Sequence, residues 1–247
     1  MFGARVDAEL MQFARFVSGA EVCGFIDAAG NVVSVPNVAA DPSEAWAMPA
    51  GSVPLDARAV WHTHPQGPAC PSGADMQFAI ASAMPHAVAT IDGVVWFGEG
   101  VPRAPLVGRP FRHGVTDCYS LIRDFYHMAG ADIPDFPRDW KWWKKGRSLY
   151  LDGFREAGFR DIPAATVQPG DGLMFAIGST VPNHAGVFLG DGLMLHHLSS
   201  KFPVDYNRRS TVCDVAEFGR FLAKAVRYEN GHFDRSACKA VRLHILA

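Results

Sequence analysis

Apolar residues along this chain recur at two spacings, and the change from one to the other marks its elements. Behind Asp7, a residue able to cap, Leu10, Met11, Phe13, Ala14 and Phe16 follow the helical period and predict a short amphipathic helix over 7–17 that Ser18-Gly19 interrupts. Runs at 22–26 and 32–35, separated by Asp27-Ala28-Ala29-Gly30, predict a hairpin. Positions 36–58 carry Pro36, Pro42, Pro49, Gly51 and Pro54, the composition of a loop long enough to form a flap. Ala59-Val60-Trp61 reads as a buried strand, and Ser72 opens a helix to about position 83 with Met76, Ile80 and Met84 on one face. Stretches 86–91 and 94–97, turned by Asp92-Gly93, predict a second hairpin.

Periodicity then stops. Gly98-Glu99-Gly100-Val101-Pro102-Arg103-Ala104-Pro105 is a linker by composition, which predicts two domains, 1–104 and 105–247, each long enough to bury its own core. Asp117-Cys118 precedes a helical pattern, Leu121, Ile122, Phe125 and Met128, that ends at Gly130. Positions 171–176 supply a core strand, and 184–189 with 193–198 form a hairpin turned by Gly190-Asp191-Gly192. Val215, Phe218, Phe221 and Leu222 predict a late helix, and the tail beyond Asn230 carries no assigned element. Both halves are therefore expected to be α+β.

Composition narrows the function. Hydrophobic residues make up 49% and charged residues 19%, values of a globular chain, and no apolar run is long enough to span a bilayer. With 23 basic and 25 acidic residues, the net charge of −2 offers no general attraction to nucleic acid or anionic lipid, so a polymer substrate has to be recognised locally. Five irregularly spaced cysteines argue against a disulfide framework, and the N-terminus lacks an export signal, which leads to the expectation of reduced thiols and assembly in the cytoplasm. There is no internal repeat, Walker loop or dinucleotide fingerprint.

Chemistry gathers first at His62-Thr63-His64. Strand alternation delivers both imidazoles to one face, and Asp75 stands at the third position of the following helix. Two histidines and one carboxylate leave a tetrahedral position open, the mark of a catalytic Zn2+ site. The pattern His62, His64, Ser72 and Asp75, with Glu21-Val22-Cys23-Gly24 upstream, resembles the JAMM/MPN metallopeptidases, whose fold is cytidine-deaminase-like. The resemblance implies zinc on His62, His64 and Asp75, Glu21 as general acid/base on the attacking water, and Ser72 stabilising the oxyanion.

A second centre lies in the other half. Cys118 in the first turn of a helix meets free backbone N–H groups that favour a thiolate, so a lowered thiol pKa is expected. His184 is an available base. If the hairpin turn is centred on Asp191, Gly186 faces His196 and the two histidines share a face; a shift of one residue would bring in His197 instead. Asp117-Cys118-Tyr119-Ser120-Leu121-Ile122-Arg123 with these histidines resembles the NlpC-type papain-like cysteine peptidases, which implies a Cys118, His184, His196 triad cleaving stem peptides of bacterial peptidoglycan, after γ-D-glutamyl residues. Trp140-Lys141-Trp142-Trp143-Lys144-Lys145 offers a wall for such a cleft, or plain surface.

The order of the two domains resembles the tail-tip assembly proteins of lambdoid phages. That resemblance implies a tail-tip hydrolase with other tail-tip proteins as partners, located in the host cytoplasm during assembly and then at the virion tail tip. Two alternatives differ in kind: a structural assembly factor whose clefts bind without turnover, and an isopeptidase for ubiquitin-like modifiers working through the metal site alone.

Overall fold

The computed structural model describes residues 1–16, 19–145, 147–199, 207–230 and 233–246. They form two compact units, Met1–Pro102 and Arg103–Ala247. In the first, helix α1 (Ala4–Phe16) begins before the Asp7 cap that the sequence suggests, and Asp7 instead accepts a hydrogen bond from Trp96 Nε1 at 2.9 Å. Positions 17 and 18, where the sequence puts the helix end, lie outside the described residues.

Strands β1 (Cys23–Ile26), β2 (Val32–Val35), β3 (Ala59–Thr63), β4 (Pro85–Thr90) and β5 (Gly93–Gly98) form one sheet in the order β2-β1-β3-β4-β5. Only β3 and β4 run parallel, joined across helix α2 (Gly73–Ser82). All five residues of β3 are buried, His62 and Thr63 among them, as suits the strand at the sheet centre. Ala59 and Trp61 pack with Val6, Leu10 and Ile26 under α1, so alternation sends His62 to the opposite face. Gly24, paired with Trp61, is the residue that permits this packing. A Cβ there would stand 1.9 Å from the Val33 carbonyl oxygen and 2.9 Å from the Trp61 ring.

Helix α2 starts with a reciprocal cap: Asp75 N donates to Ser72 Oγ at 3.2 Å, and Ser72 N donates to Asp75 Oδ2 at 2.7 Å. Its buried side is Asp75, Met76 and Ala79, whereas Ile80 is 43% exposed. The face expected from Met76, Ile80 and Met84 is thus turned, because the Asp75 carboxylate points inward to the histidines of β3.

The second unit contains α3 (Cys118–Met128), α4 (Leu149–Gly153), β6 (Phe159–Ile162), β7 (Gly172–Phe175), β8 (His184–Gly190), β9 (Leu193–His196), β10 (Thr211–Asp214), β11 (Leu222–Tyr228) and α5 (Ser236–Leu246). Its antiparallel sheet has the order β10-β9-β8-β7-β11-β6. Helix α3 lies on β8 and β9, burying Leu121, Phe125 and Tyr126 with Ala185, Val187, Leu189 and Leu195. Asp191 and Gly192, with φ of 53° and 75°, make the two-residue turn between β8 and β9.

The late helix expected from Val215, Phe218, Phe221 and Leu222 does not form. Two short 3-10 turns, Val215–Glu217 and Gly219–Phe221, lead into β11. The three-residue spacing suits 3-10 turns that lay Val215, Phe218 and Phe221 against Leu173, Phe175 and Met194. Strands β6 and β11 and helix α5 are elements that the apolar pattern alone does not single out.

Each unit has its own sheet and core, so fragments 1–104 and 105–247 are expected to fold separately. Each should unfold cooperatively by circular dichroism with a sigmoidal thermal transition. A fragment that melts without one would mean that its core depends on the other half.

Candidate active sites

The end of β3 brings four ionisable side chains of the first unit together. His62 Nε2 and His64 Nε2 lie 3.0 Å apart, Asp75 Oδ1 is 3.3 Å from His62 Nε2, and Asp75 Oδ2 is 3.6 Å from His64 Nε2. Glu21, two residues before β1, places Oε1 3.8 Å from His64 Nε2. Among the described residues, Glu21, His62 and His64 have ligand atoms that all lie within 4.8 Å of one another, a potential metal-binding set. A tetrahedral zinc with bonds of about 2.0–2.1 Å needs donors about 3.3 Å apart. The two imidazole nitrogens stand near that spacing, with Asp75 beside them through a different oxygen for each and Glu21 completing the grouped donors, so the chemistry of the cluster suits the ion.

Burial acts differently on each member. It opposes charge on Asp75, yet His62, His64 and Trp46 hydrogen-bond its carboxylate and hold it well below the usual range. Glu21 is raised to about 7, by burial first and then by Asp75 and Glu44, with His64 acting in the other direction. A carboxyl near 7 can take up and release a proton at neutral pH. Ser72 Oγ donates to Asp75 Oδ2 at 2.7 Å, so its hydroxyl braces the acid.

The proline-rich loop before β3 covers this centre with a residue that sequence reasoning passed over. Trp46 stacks on the His62 ring at 4.9 Å and donates through Nε1 to Asp75 Oδ1 at 2.9 Å. A lone tryptophan in a turn-rich segment with no other aromatic residue is the one signal that pointed to it.

In the second unit Cys118 begins α3, behind a heavily braced cap. Asp117 accepts from Ser120 N at 2.9 Å and Gly114 N at 2.8 Å, and Arg138 clamps the same carboxylate through Nε and Nη2 at 2.8 and 3.0 Å. Cys118 Sγ lies 3.1 Å from the Tyr150 hydroxyl. The Ala185 backbone N–H also reaches the sulfur, which sets Cys118 beside the start of β8. His184 opens that strand, and Gly186 pairs with His196 on β9.

His184 Nε2 and His196 Nδ1 are 3.1 Å apart, and His184 Nδ1 is buried without a hydrogen-bond partner. When Nε2–H donates to His196, Nδ1 is left as an acceptor. His197 engages other partners, its Nε2 3.0 Å from the Arg208 carbonyl oxygen and its ring against Phe111, although it borders the same cavity as Cys118. Cys118, Tyr150 and His184 line one cavity of about 630 Å³, with Trp140, Trp142 and Trp143 on its wall.

The lowered thiol pKa expected from the helix start is not found. Burial, then the Asp117 carboxylate, pushes the Cys118 thiol up to about 11, although Tyr150, Ala185 and Arg138 favour the thiolate. Cys23, Cys213 and Cys238 are likewise pushed to about 11, mainly by burial. Ionisation therefore does not distinguish Cys118; its neighbours do. Burial first, then His196, His197 and Arg208, keeps His184 well below 6.5, and burial takes His196 to about 4. Thiol and imidazoles are all neutral at pH 7, a combination suited to proton transfer during attack.

Comparison with known proteins gives the two halves their kinship. Residues 4–99 match the family described as prokaryotic homologs of the JAB domain, and residues 108–214 match the NlpC/P60 family. Over 140 residues the chain is 44% identical to tail tip assembly protein K of Escherichia phage lambda, covering 57% of this chain and 69% of that protein. Over 144 residues it is 31% identical to tail tip assembly protein K of Escherichia phage N15, covering 57% and 59%. A solved structure described as similar to a lipoprotein of the NLP/P60 family, from Staphylococcus aureus subsp. aureus Mu50, is 20% identical with a TM-score of 0.35, covering 51% of this chain and 38% of that one.

Tyr150 had no distinguishing signal in the sequence, and its contact with Sγ gives it a measurable part. Its hydroxyl can donate to a thiolate, and a hydrogen bond to a charged group is worth about 1.5–3 kcal/mol. Tyr150→Phe should therefore raise the thiol pKa and slow Cys118 alkylation by iodoacetamide about tenfold at fixed pH. An unchanged rate–pH profile would remove the hydroxyl from the account.

Proposed function

The chain belongs to the family of the phage tail tip assembly protein K, an α+β prokaryotic JAB domain followed by an α+β NlpC/P60 domain, and from that premise we propose that it is a tail-tip hydrolase of a phage or prophage. Its NlpC-type half cleaves stem peptides of bacterial peptidoglycan, after γ-D-glutamyl residues as the family resemblance implies. The observation that carries this reading is the 3.1 Å pairing of His184, which lines the same cavity as Cys118, with His196 on the neighbouring strand.

In this reading His184 Nδ1 takes the proton of Cys118 as sulfur attacks the peptide carbonyl carbon, and His196 stabilises the imidazolium formed. The same imidazole then gives its proton to the leaving amine. Water, deprotonated by His184, releases the acyl group from sulfur. The aromatic wall of Trp140, Trp142 and Trp143 gives a neutral substrate surface to lie on.

The first half is a zinc-dependent peptidase or isopeptidase. His62, His64 and Asp75 would hold Zn2+, which supplies Lewis acidity and a water ionised near neutral pH. Glu21, raised to about 7 and with Oε1 3.8 Å from His64 Nε2, would be the proton carrier of this site, and Ser72, whose hydroxyl donates to Asp75 Oδ2, would hold that carboxylate and would have to turn to reach an oxyanion. The protein assembles with other tail-tip proteins in the host cytoplasm and acts at the virion tail tip.

Purified peptidoglycan treated with wild type, Cys118→Ala and His64→Ala, with products weighed by mass spectrometry, tests the two halves together. Wild type and His64→Ala should release stem peptides, and Cys118→Ala should lose that activity by at least about a thousandfold. Metal analysis should find one zinc per chain, lost in His62→Ala/His64→Ala/Asp75→Ala. A folded wild type that releases no peptide yet binds tail-tip proteins would favour an assembly factor working without turnover.

A further inference from the structure

Trp46 makes two contacts with the histidine cluster, and both fall on residues of the proposed ligand set. The indole Nε1–H donates to Asp75 Oδ1 at 2.9 Å, and the ring lies on His62 at 4.9 Å with 21° between planes. Phe78 of α2 stands edge-on to the indole at 5.1 Å and limits its movement. The contacts come from a loop that contributes no member of the His62, His64, Asp75 set.

One side-chain amide ties that loop together beside its own backbone bonds, among them Val38 N to Ala47 O at 2.9 Å. Asn37 Oδ1 accepts from Ala47 N at 3.0 Å, and its Nδ2 donates to Ala45 O at 3.0 Å and to Glu21 O at 2.9 Å. The residues on both sides of Trp46 are thereby tied to the backbone of Glu21. Glu21 N in turn donates to Pro42 O in the same loop. The indole and the proposed acid/base are held by one hydrogen-bonded unit.

Asp75 shows why the indole matters. Its Oδ2 accepts from both the backbone N and the hydroxyl of Ser72 at 2.7 Å, which fixes one oxygen from the helix side. On Oδ1 the Trp46 N–H is the donor that is not itself in the proposed ligand set. Together they clamp the carboxylate plane from opposite oxygens; Ser72 fills both acceptor positions of Oδ2, and Oδ1 keeps one beside the indole for another partner. Stacking on His62 restrains the tilt of the imidazole in the same way.

We propose that Trp46 is a positioning residue for the metal centre, setting the carboxylate plane of Asp75 and the ring of His62, with Asn37 keeping it in step with Glu21. The proposal rests on the zinc reading of the first domain. Groups that orient ligands from behind typically change metal affinity about 10–100-fold when removed.

The test uses the full-length chain and zinc alone. Trp46→Phe keeps an aromatic face over His62 but lacks the N–H, and competition with a chromophoric chelator should show zinc bound about 10–100-fold more weakly than by wild type. The visible absorption of the cobalt(II)-loaded variant should shift as well, since the carboxylate is free to rotate. Asn37→Ala, which removes the side-chain ties of the Trp46 segment to Glu21 without touching the indole, should move affinity in the same direction and carries the test if Trp46→Phe does not fold. A purely structural part would lower the unfolding midpoint of the metal-free chain and leave affinity and cobalt spectrum as in wild type. That result, or zinc affinity within about twofold of wild type where 10–100-fold is expected, overturns the proposal while the zinc site stands. A wild type that takes up no zinc overturns both.

Discussion

A buried strand sends alternate side chains to opposite faces, and both sites depend on that parity. In β3 the indole of Trp61 fills the core under α1 and obliges His62 to face the other way, where His64, two residues on, joins it. Gly24 makes this possible, since a side chain there would collide with the Val33 carbonyl and displace Trp61. In the second unit the Asp191-Gly192 turn pairs Gly190 with Leu193, and a bulge between Phe188 and Gly190 then shifts the register by one residue, so that Gly186 faces His196. A Cβ on Gly186 would meet the Leu195 carbonyl oxygen at 2.8 Å and His196 Cβ at 3.2 Å, so this glycine lets the His196 strand lie close enough for the ring to reach His184. A slip of one residue would exchange His196 for His197.

The two centres use burial in opposite ways. Around β3, burial is overcome: hydrogen bonds from the imidazoles and the indole keep Asp75 charged, and the carboxylate becomes a fixed negative point suited to a cation. Around α3, burial prevails on the reacting groups, leaving a neutral thiol beside neutral imidazoles, while the charges of Asp117 and Arg138 neutralise each other one residue away. Breaking that last pair would leave a buried charge unmatched, a cost of about 3–5 kcal/mol. The pair also anchors the helix start that presents Cys118.

Much of this was legible in the sequence because the chemistry sits in short segments. His62, His64, Ser72 and Asp75 span one strand end and one helix cap, both readable from local pattern, whereas the glycine-flanked turn at Asp191 locates the hairpin but leaves its register open by one residue, which a bulge between Phe188 and Gly190 decides. What escaped depends on partners far along the chain. β11 is a strand because β7 and β6 flank it, and Val215, Phe218 and Phe221 mimic a helical stripe while serving 3-10 turns. Trp46 and Tyr150 reach their sites from a loop and a five-residue helix that carry no motif. The raised Cys118 thiol was missed because helix-end geometry is local, whereas burial and the Asp117 charge are properties of the folded site.

The central claim, that strand parity selects His196 and not its neighbour as the partner of His184, is tested most directly by the alkylation rate of Cys118 across pH in wild type, His196→Ala and His197→Ala. The account predicts that His196→Ala slows the reaction near neutral pH by about tenfold, the worth of about 1.4 kcal/mol of support for the protonated His184, and that His197→Ala leaves the profile in place. A profile moved by His197→Ala and untouched by His196→Ala, in folded proteins, would contradict the register on which both sites have been explained.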